Sequence, residues 1–253
     1  MSRLRLIYFL PFFTLALFAQ SGEQINYTVS GKQYQGYFED AGPGSPLILL
    51  VHDWDGLTDY EIKRSKMLKK LGYSVFAVDL YGAGIRPVLL EEKKKLSGEL
   101  YSDRKKMRKL LQEALSEAKA QGADTKKCVA IGYCFGGSAV MELARSGEKL
   151  RGFVSFHGGL ELPEGQNYNK VKGEILVFHG SADKAVPFER FAQMATDLES
   201  AGIKHEMITY SGADHAFSVF ESDRYHPEAD KKSWNRFIDY LDGVFGSELD
   251  LSR

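Results

Sequence analysis

The segment "GYCFGG", residues 132–137, places a cysteine between glycines where an apolar run gives way to a helical pattern. The glycines allow the backbone to turn sharply with the Cys134 side chain raised, and the helix that follows directs the positive end of its dipole toward the sulfur. This setting favours a nucleophilic thiolate, and the turn makes the Phe135 amide available to an oxyanion. The spacing matches the G-x-S-x-G nucleophile elbow with sulfur in place of the hydroxyl. The alternative is a buried structural cysteine at an ordinary glycine turn.

Two later loops carry the residue types that such a thiol needs as base and orienting acid. His215 lies in "SGADHAF", directly after the last predicted strand, and Asp183 lies in "FHGSADKAVP" after an earlier one. The alternative for Asp183 is a turn or helix-capping aspartate. The order nucleophile, acid, histidine, with each residue after its own strand, predicts a Cys134–Asp183–His215 triad. Four other histidines are predicted to pack or to lie on the surface, and they are His157, His179, His205 and His226.

The loop "VHDWDG", residues 51–56, follows the first buried strand, where a second oxyanion N–H is expected. We assign that amide to Trp54. Asp53 and Asp55 flank it, and either one can instead cap the next helix.

The loop "DLYGAGIRP", residues 79–87, leaves another strand and carries Tyr81 and Arg86. Arg86 is predicted to bind a carboxylate or similar polar group of the substrate, because its planar fork of donors suits that anion. The alternative is an arginine that is solvated on the loop surface.

Apolar strands that alternate with amphipathic helices must position these loops, within a chain of 253 residues that is 43% hydrophobic. The alternation predicts one α/β domain, a three-layer sandwich with a mostly parallel sheet and an N-terminal antiparallel hairpin. Ligands bind at the carboxyl ends of strands in such sheets. The predicted strands are 25–29, 34–38, 47–51, 73–80, 127–133, 152–158, 174–180 and 205–210, and the predicted helices are 58–71, 91–120, 137–145, 188–201 and 228–245.

The N-terminal residues 1–21 differ in kind from the rest. Arg3 and Arg5 precede an apolar stretch, residues 6–18, that is too short to cross a bilayer as a helix. This pattern predicts a secretory signal peptide cleaved after Ala19 or Ser21, an exported protein and a mature domain of residues 22–253. An uncleaved anchor is the alternative. The formal net charge of −1 predicts neither a nucleic acid nor a membrane partner for the mature domain.

Together, the motifs "GYCFGG", "HGSADKAVP", "DLYG" and "GADHAF" resemble the dienelactone hydrolase family from about residue 34 to residue 245. The resemblance implies an α/β-hydrolase fold and a Cys-His-Asp triad that matches Cys134, His215 and Asp183. It also implies an acid in the oxyanion loop that takes the thiol proton when substrate arrives, at the position of Asp53. The family's substrate-binding arginine position is Ala83 here, so we do not expect dienelactone itself to be the physiological substrate.

We therefore expect hydrolysis of a small carboxylic ester or lactone through a thioester, by a monomer or small homo-oligomer that needs no metal or organic cofactor. Two alternatives remain open. One is a thioesterase or peptidase on the same fold, and the other is a non-catalytic binding protein that retains the fold.

Overall fold

The computed structural model describes residues 22–246, which form a single eight-stranded sheet with helices on both faces. The strands are β1 (Glu23–Val29), β2 (Lys32–Glu39), β3 (Pro46–Val51), β4 (Ser74–Val78), β5 (Asp124–Tyr133), β6 (Gly152–Phe156), β7 (Glu174–Gly180) and β8 (His205–Tyr210). The helices are α1 (Asp59–Lys69), α2 (Leu90–Ser102), α3 (Arg104–Ala120), α4 (Phe135–Arg145), α5 (Phe188–Ser200) and α6 (Pro227–Phe245). The predicted signal segment, residues 1–21, lies outside the described residues.

The N-terminal antiparallel hairpin is confirmed. Val29 pairs with Lys32 across a two-residue turn in which Ser30 and Gly31 both have positive φ, at 49° and 80°. Positive φ at both central residues gives a turn whose twist matches that of the two strands. The hairpin extends the sheet by pairing β2 antiparallel to β4.

The rest of the sheet is parallel, in the order β1-β2-β4-β3-β5-β6-β7-β8. Strand β3 is buried along its whole length and divides its side chains between two cores. Leu47 and Leu49 belong to the core that includes residues of α3 and α4, whereas Ile48 and Leu50 belong to the core that includes residues of α1 and α6. The fold is therefore the predicted three-layer sandwich, with helices covering both faces of the sheet.

The sequence interpretation of 91–120 as one helical segment was wrong at its centre. Asp103, with φ −116° and ψ 73°, separates α2 from α3. Its carboxylate accepts the Lys106 N–H at 2.9 Å and so caps the start of α3. The surrounding lysines and glutamates continue the helical pattern on both sides, which hides this cap in the sequence.

Six parallel strands, β3 to β8, end at one edge of the sheet, so the loops that follow them lie side by side there. This edge brings together the loop after β3, the elbow after β5 and the loops after β7 and β8. Within residues 22–246, no helix has the length and apolar character needed to cross a membrane.

Candidate active site

The elbow after β5 depends on glycines packed against neighbouring backbone. Cys134 has φ 51° and ψ −113°, a conformation that non-glycine residues rarely adopt. A Cβ added at Gly132 would lie 2.1 Å from the Gly136 carbonyl oxygen, and one added at Gly136 would lie 2.3 Å from the Val51 carbonyl oxygen. Side chains at these two positions would therefore force β5 and α4 apart and push α4 away from β3.

Backbone hydrogen bonds hold the strained residue in place. The Cys134 N–H donates to the Phe156 carbonyl at 3.0 Å, and the Cys134 carbonyl accepts from Gly137 at 3.1 Å and from Ser138 at 3.3 Å. Phe135 is the first residue of α4, where a backbone N–H has no acceptor within its own helix. Its amide therefore has no acceptor within the helix, and its oxyanion role stays a prediction.

The structure brings Cys134, His215 and Asp183 into one chain of contacts. His215 Nε2 lies 3.1 Å from Cys134 Sγ, and His215 Nδ1 lies 2.8 Å from Asp183 Oδ2. The other oxygen, Asp183 Oδ1, accepts the backbone N–H groups of Ala185 and Val186 at 2.8 Å each. The carboxylate is thereby fixed on both sides, and it orients the imidazole toward the sulfur.

The electrostatics of the chain favour a charged histidine. Burial opposes protonation of His215, but hydrogen bonds to Asp183 and Cys134 outweigh it and raise the histidine pKa to about 10. Burial acts to raise the pKa of Asp183, yet the hydrogen bond and the charge of His215 lower it overall. The arrangement can therefore move the thiol proton to His215 and stabilise the resulting imidazolium.

The loop after β3 holds Asp53, a buried acid whose pKa is shifted in the direction opposite to that of Asp183. Asp53 is 7% exposed, and its Oδ1 accepts the Asp55 N–H at 2.9 Å. Burial, then the neighbouring Asp55, then the charge of Cys134 raise the pKa of Asp53 well above its ordinary value. Of the two aspartates in this loop, Asp53 is the more deeply buried, and the charge of Cys134 is among the causes of its raised pKa. Its role in taking the thiol proton stays a prediction.

Tyr81 fixes the carbonyl side of the same loop. Its hydroxyl donates to the Trp54 carbonyl at 3.1 Å, and its ring stacks on Phe135 with centroids 5.8 Å apart. Tyr81 thus connects the two residues whose amides are predicted to form the oxyanion hole. This contact supports a positioning role for the tyrosine beside the predicted substrate-binding role.

Arg86 does not have the free guanidinium that a carboxylate site needs. Its Nε donates to the Leu57 carbonyl, its Nη1 donates to the Ile85 carbonyl at 2.7 Å, and Nη1 lies 3.8 Å from Asp79 Oδ1. It lines a surface groove with Tyr37 and other residues of the α1 and β2 side. The loop uses Arg86 for its own closure, so these contacts give the predicted carboxylate-binding role no support.

Sequence reasoning missed two residues near the elbow. Tyr101 from α2 packs edge-on against Phe135 with centroids 5.4 Å apart, and its hydroxyl donates to Ser138 Oγ at 3.1 Å. His157, interpreted as a packing residue, lies with its ring centroid 5.6 Å from that of His215. Tyr101 lies within a charged helical segment, and nothing in that sequence indicates a site. His157 follows a strand at its carboxyl end, and this position could have indicated a residue near the site.

Several known proteins are similar to this chain. A protein provisionally named carboxymethylenebutenolidase from Yersinia pestis is 25% identical over 212 residues, covering 78% of this chain and 77% of its own length. A protein of the same provisional name from Methylorubrum extorquens is 26% identical over 226 residues, which cover 82% of this chain and 75% of the relative. The similarity to an Escherichia coli K12 protein of that name covers only 52% of this chain and 51% of the relative.

Solved structures agree with the fold. The dienelactone hydrolase-like promiscuous phosphotriesterase P91, from metagenomic libraries, superposes with a TM-score of 0.81 at 26% identity, covering 88% of this chain and 98% of its own. A structure named m3DLH gives a TM-score of 0.80 at 30% identity, with coverage of 88% and 98%. The sequence model of the dienelactone hydrolase family matches residues 36–245, which include every residue of the site described above. The chain is therefore a member of the dienelactone hydrolase family of hydrolases, with the α/β fold of that family.

Proposed function

We propose that this hydrolase cleaves carboxylic esters or lactones through a Cys134–His215–Asp183 triad and a thioester intermediate. The observation that carries the proposal is the continuous chain from Cys134 Sγ through the His215 ring to an Asp183 carboxylate whose second oxygen is also hydrogen-bonded. The proton, its acceptor and the acceptor's orienting group are all within hydrogen-bonding distance. This is the geometry that activates a nucleophile by an oriented base.

The reaction would proceed in two halves. The Cys134 thiolate attacks the acyl carbon, and the Phe135 and Trp54 amides stabilise the oxyanion. When the carbon–oxygen bond breaks, His215 gives its proton to the departing alkoxide and a thioester remains on Cys134. His215 then takes a proton from water, the hydroxide attacks the thioester, and Cys134 leaves as a thiolate that accepts the proton held by His215.

The leaving-group order favours activated substrates. A thiolate is a better leaving group than an ordinary alkoxide or an amine, so the first tetrahedral intermediate returns to substrate unless the substrate's own leaving group is good. Enol lactones and activated esters satisfy this condition directly, whereas an amide needs full protonation of its nitrogen by His215 before the carbon–nitrogen bond breaks. The thioesterase reading remains chemically compatible with the site, whereas the peptidase reading is disfavoured.

Asp53 is proposed as the acid that controls the thiol. In its ionised form it can accept the thiol proton and later return it to Cys134. The proton that His215 gives to the alkoxide is then one that His215 already holds, because the pKa of His215 is raised to about 10. In its protonated form Asp53 adds no repulsion to a thiolate. Asp53 is one methylene shorter than the glutamate usual in the family, but its burial and the influence of the Cys134 charge on its pKa support the same assignment. Tyr81 holds the Trp54 peptide during this exchange through its bond to the Trp54 carbonyl.

A panel of esters and lactones tests the proposal, with Cys134→Ala as the blank and Cys128→Ala as the matched control. Cys128 is wholly buried in β5, and burial raises the pKa of its thiol, so it is expected to be unreactive. Replacing Cys134 should lower kcat at least about 10³-fold. Replacing Cys128 should cost about 1 kcal/mol of stability and leave kcat unchanged. Ester hydrolysis retained by Cys134→Ala would refute the mechanism.

Phosphotriesters are a second candidate substrate class, favoured by the 26% identity to the promiscuous phosphotriesterase P91. The same thiolate would attack phosphorus and displace an aryloxide, leaving a phosphorylated Cys134 that water must hydrolyse. Turnover of paraoxon beyond one equivalent supports this activity. A single stoichiometric release of nitrophenolate would show that phosphorylation only inactivates the enzyme.

Export is proposed separately, from residues 1–21 of the sequence. Mass spectrometry of the protein recovered from its native host should find a mature start near Gln20 or Gly22. Recovery of an intact Met1 or Ser2 terminus would refute cleavage.

A further inference from the structure

His157 occupies a strained position beside the proposed base. It follows β6 at the carboxyl edge, is completely buried, and has φ 41°, which is rare for a residue with a side chain. Its N–H donates to the Phe178 carbonyl at 2.8 Å, and the preceding carbonyl, of Phe156, accepts the N–H of Cys134. The strained backbone therefore connects the elbow with β7 and presents the ring at 65° to that of His215.

A chain of hydrogen bonds begins at the His157 ring and ends at a buried arginine. His157 Nε2 lies 2.8 Å from Ser218 Oγ, and Ser218 Oγ lies 3.0 Å from the Tyr60 hydroxyl oxygen. Arg64 Nε donates to that same hydroxyl oxygen at 3.2 Å. Arg64 is 1% exposed and is held by Asp230 and by the Ser218 carbonyl, so it is a fixed end of the chain.

The arginine sets the direction of every bond in the chain. A guanidinium only donates, so the Tyr60 oxygen accepts from Arg64 and its own proton is free to go to Ser218. The Ser218 proton then goes to His157 Nε2, because no other acceptor for it is described within residues 22–246. The reverse direction would leave the Tyr60 proton without an acceptor among the contacts described for residues 22–246. This pattern favours the neutral His157 tautomer with its proton on Nδ1, a buried atom for which no hydrogen-bond partner is described.

The surroundings of His157 agree with a neutral ring. His215 contacts it from the loop after β8, the Tyr133 ring lies beside it from β5, and Arg64 approaches from α1. Burial, then the charges of His215 and Arg64, with a smaller contribution from Arg224, lower the pKa of His157 well below its ordinary value. No carboxylate is among the main causes of the lowered His157 pKa.

We propose that His157 is a positioning residue for His215, held as a neutral Nδ1–H imidazole by the relay from Arg64 through Tyr60 and Ser218. A neutral ring in this place leaves His215 as the one of the two histidines that carries a positive charge. A charged ring there would repel the imidazolium and return the proton to the sulfur. The assignment of His215 as the base rests on the proposed function, whereas the tautomer of His157 does not.

Nitrogen NMR of the full protein labelled with ¹⁵N-histidine tests the tautomer directly. In the unaltered protein His157 should show a protonated Nδ1 and an unprotonated Nε2 across pH 5–9. Ser218→Ala removes the donor to Nε2, so the ring should titrate or populate the other tautomer. Ser222→Ala is the matched control, because Ser222 lies in the same loop and its buried hydroxyl has no described hydrogen-bond partner. An Nε2–H tautomer in the unaltered protein, or no change in Ser218→Ala, would overturn the relay.

The pH profile of Cys134 alkylation by iodoacetamide tests the positioning role. In Ser218→Ala the pH of half-maximal alkylation should rise by about one pH unit, the effect of a second positive charge near His215. Tyr60→Phe keeps the Ser218 hydroxyl and should shift the alkylation profile less, in the same direction. This variant replaces Ser218→Ala in the test if Ser218→Ala does not fold. Ser222→Ala should give none.

An unmoved alkylation profile in a variant whose His157 ring has become protonated would refute the positioning role. Retention of ester hydrolysis by Cys134→Ala would refute the proposed function instead. The NMR assignment of the His157 tautomer would be unaffected by that result.

Discussion

Asp183 and Asp53 are two buried aspartates at the same edge of the sheet, and their ionisation is shifted in opposite directions. They are 6% and 7% exposed, and they lie on the loops after β7 and β3. The pKa of Asp183 is lowered, and the pKa of Asp53 is raised well above its ordinary value. Burial opposes ionisation at both sites, so burial cannot account for the difference.

The difference lies in what each carboxylate faces. Asp183 receives the His215 ring and two backbone N–H groups, which together outweigh its desolvation. Asp53 receives one N–H, from Asp55, and faces the negative charges of Asp55, Cys134 and Glu61. The same side chain is therefore kept ionised as an orienter in one loop and kept ready to hold a proton in the other.

The largest expected effect comes from Asp183→Asn. The amide retains the shape of the side chain but cannot hold His215 in the required tautomer or stabilise its positive charge. We expect kcat for an activated ester to fall about 10⁴-fold with the fold retained. Steady-state kinetics, with circular dichroism as the check on folding, measure this. A loss of less than tenfold would show that His215 does not depend on its partner.

Asp53→Asn should have a smaller effect on the rate. Asparagine resembles the protonated aspartate in shape but can neither take up nor release a proton, so only the proposed exchange with the thiol is lost. We expect kcat/KM to fall about 10²-fold. Asp59→Asn, an exposed change in the first turn of α1, is the control and should be neutral. Equal activity of both variants would reduce Asp53 to a structural residue.

These roles were predictable from the sequence to different extents. Cys134, Asp183 and His215 each follow a strand of their own, and parallel strands bring their carboxyl ends to one edge, so chain order was enough to place them together. Arg86 follows a strand as well, but the carbonyls of its own neighbourhood engage its guanidinium, a contact that periodicity cannot reveal. The choice between Asp53 and Asp55 depended on burial. The environment of His157 depended on hydrogen bonds that run through Ser218 to Tyr60 and Arg64 on α1, which are distant in the sequence.

The two aspartates should also give stability profiles of opposite slope between pH 3 and pH 6. The lowered pKa of Asp183 contributes stability above the unfolded value of about 3.8, and that stability is lost as the pH falls through the folded value. Asp183→Asn should therefore be less stable than the unaltered protein at pH 6, with the gap narrowing as the pH falls toward 3.

The raised pKa of Asp53 acts with the reverse sign. Its contribution is present below the unfolded pKa and is lost as the pH rises through the folded value, so Asp53→Asn should gain stability relative to the unaltered protein from pH 3 to pH 6. Urea unfolding at closely spaced pH values measures both gaps. Parallel slopes for the two variants would contradict the opposite shifts.

The smallest expected effect concerns Asp55, the neighbour that distinguishes the surroundings of Asp53 from those of Asp183. Asp55→Asn keeps the backbone N–H that Asp53 accepts but removes a negative charge, so the Asp53 pKa should fall by about half a unit to one unit. Lys93 lies 3.4 Å from the Asp55 carboxylate, and Lys93→Met should move the Asp53 pKa the other way because the Asp55 charge then loses its partner. Lys94→Met is the matched control, since Lys94 pairs with the exposed Glu91 on the same helix. Carbon NMR titration of the Asp53 carboxyl in each variant reads the shift directly. An unchanged titration in Asp55→Asn would mean that burial alone holds the Asp53 proton, and the contrast with Asp183 would then rest on His215 rather than on two differently charged loops.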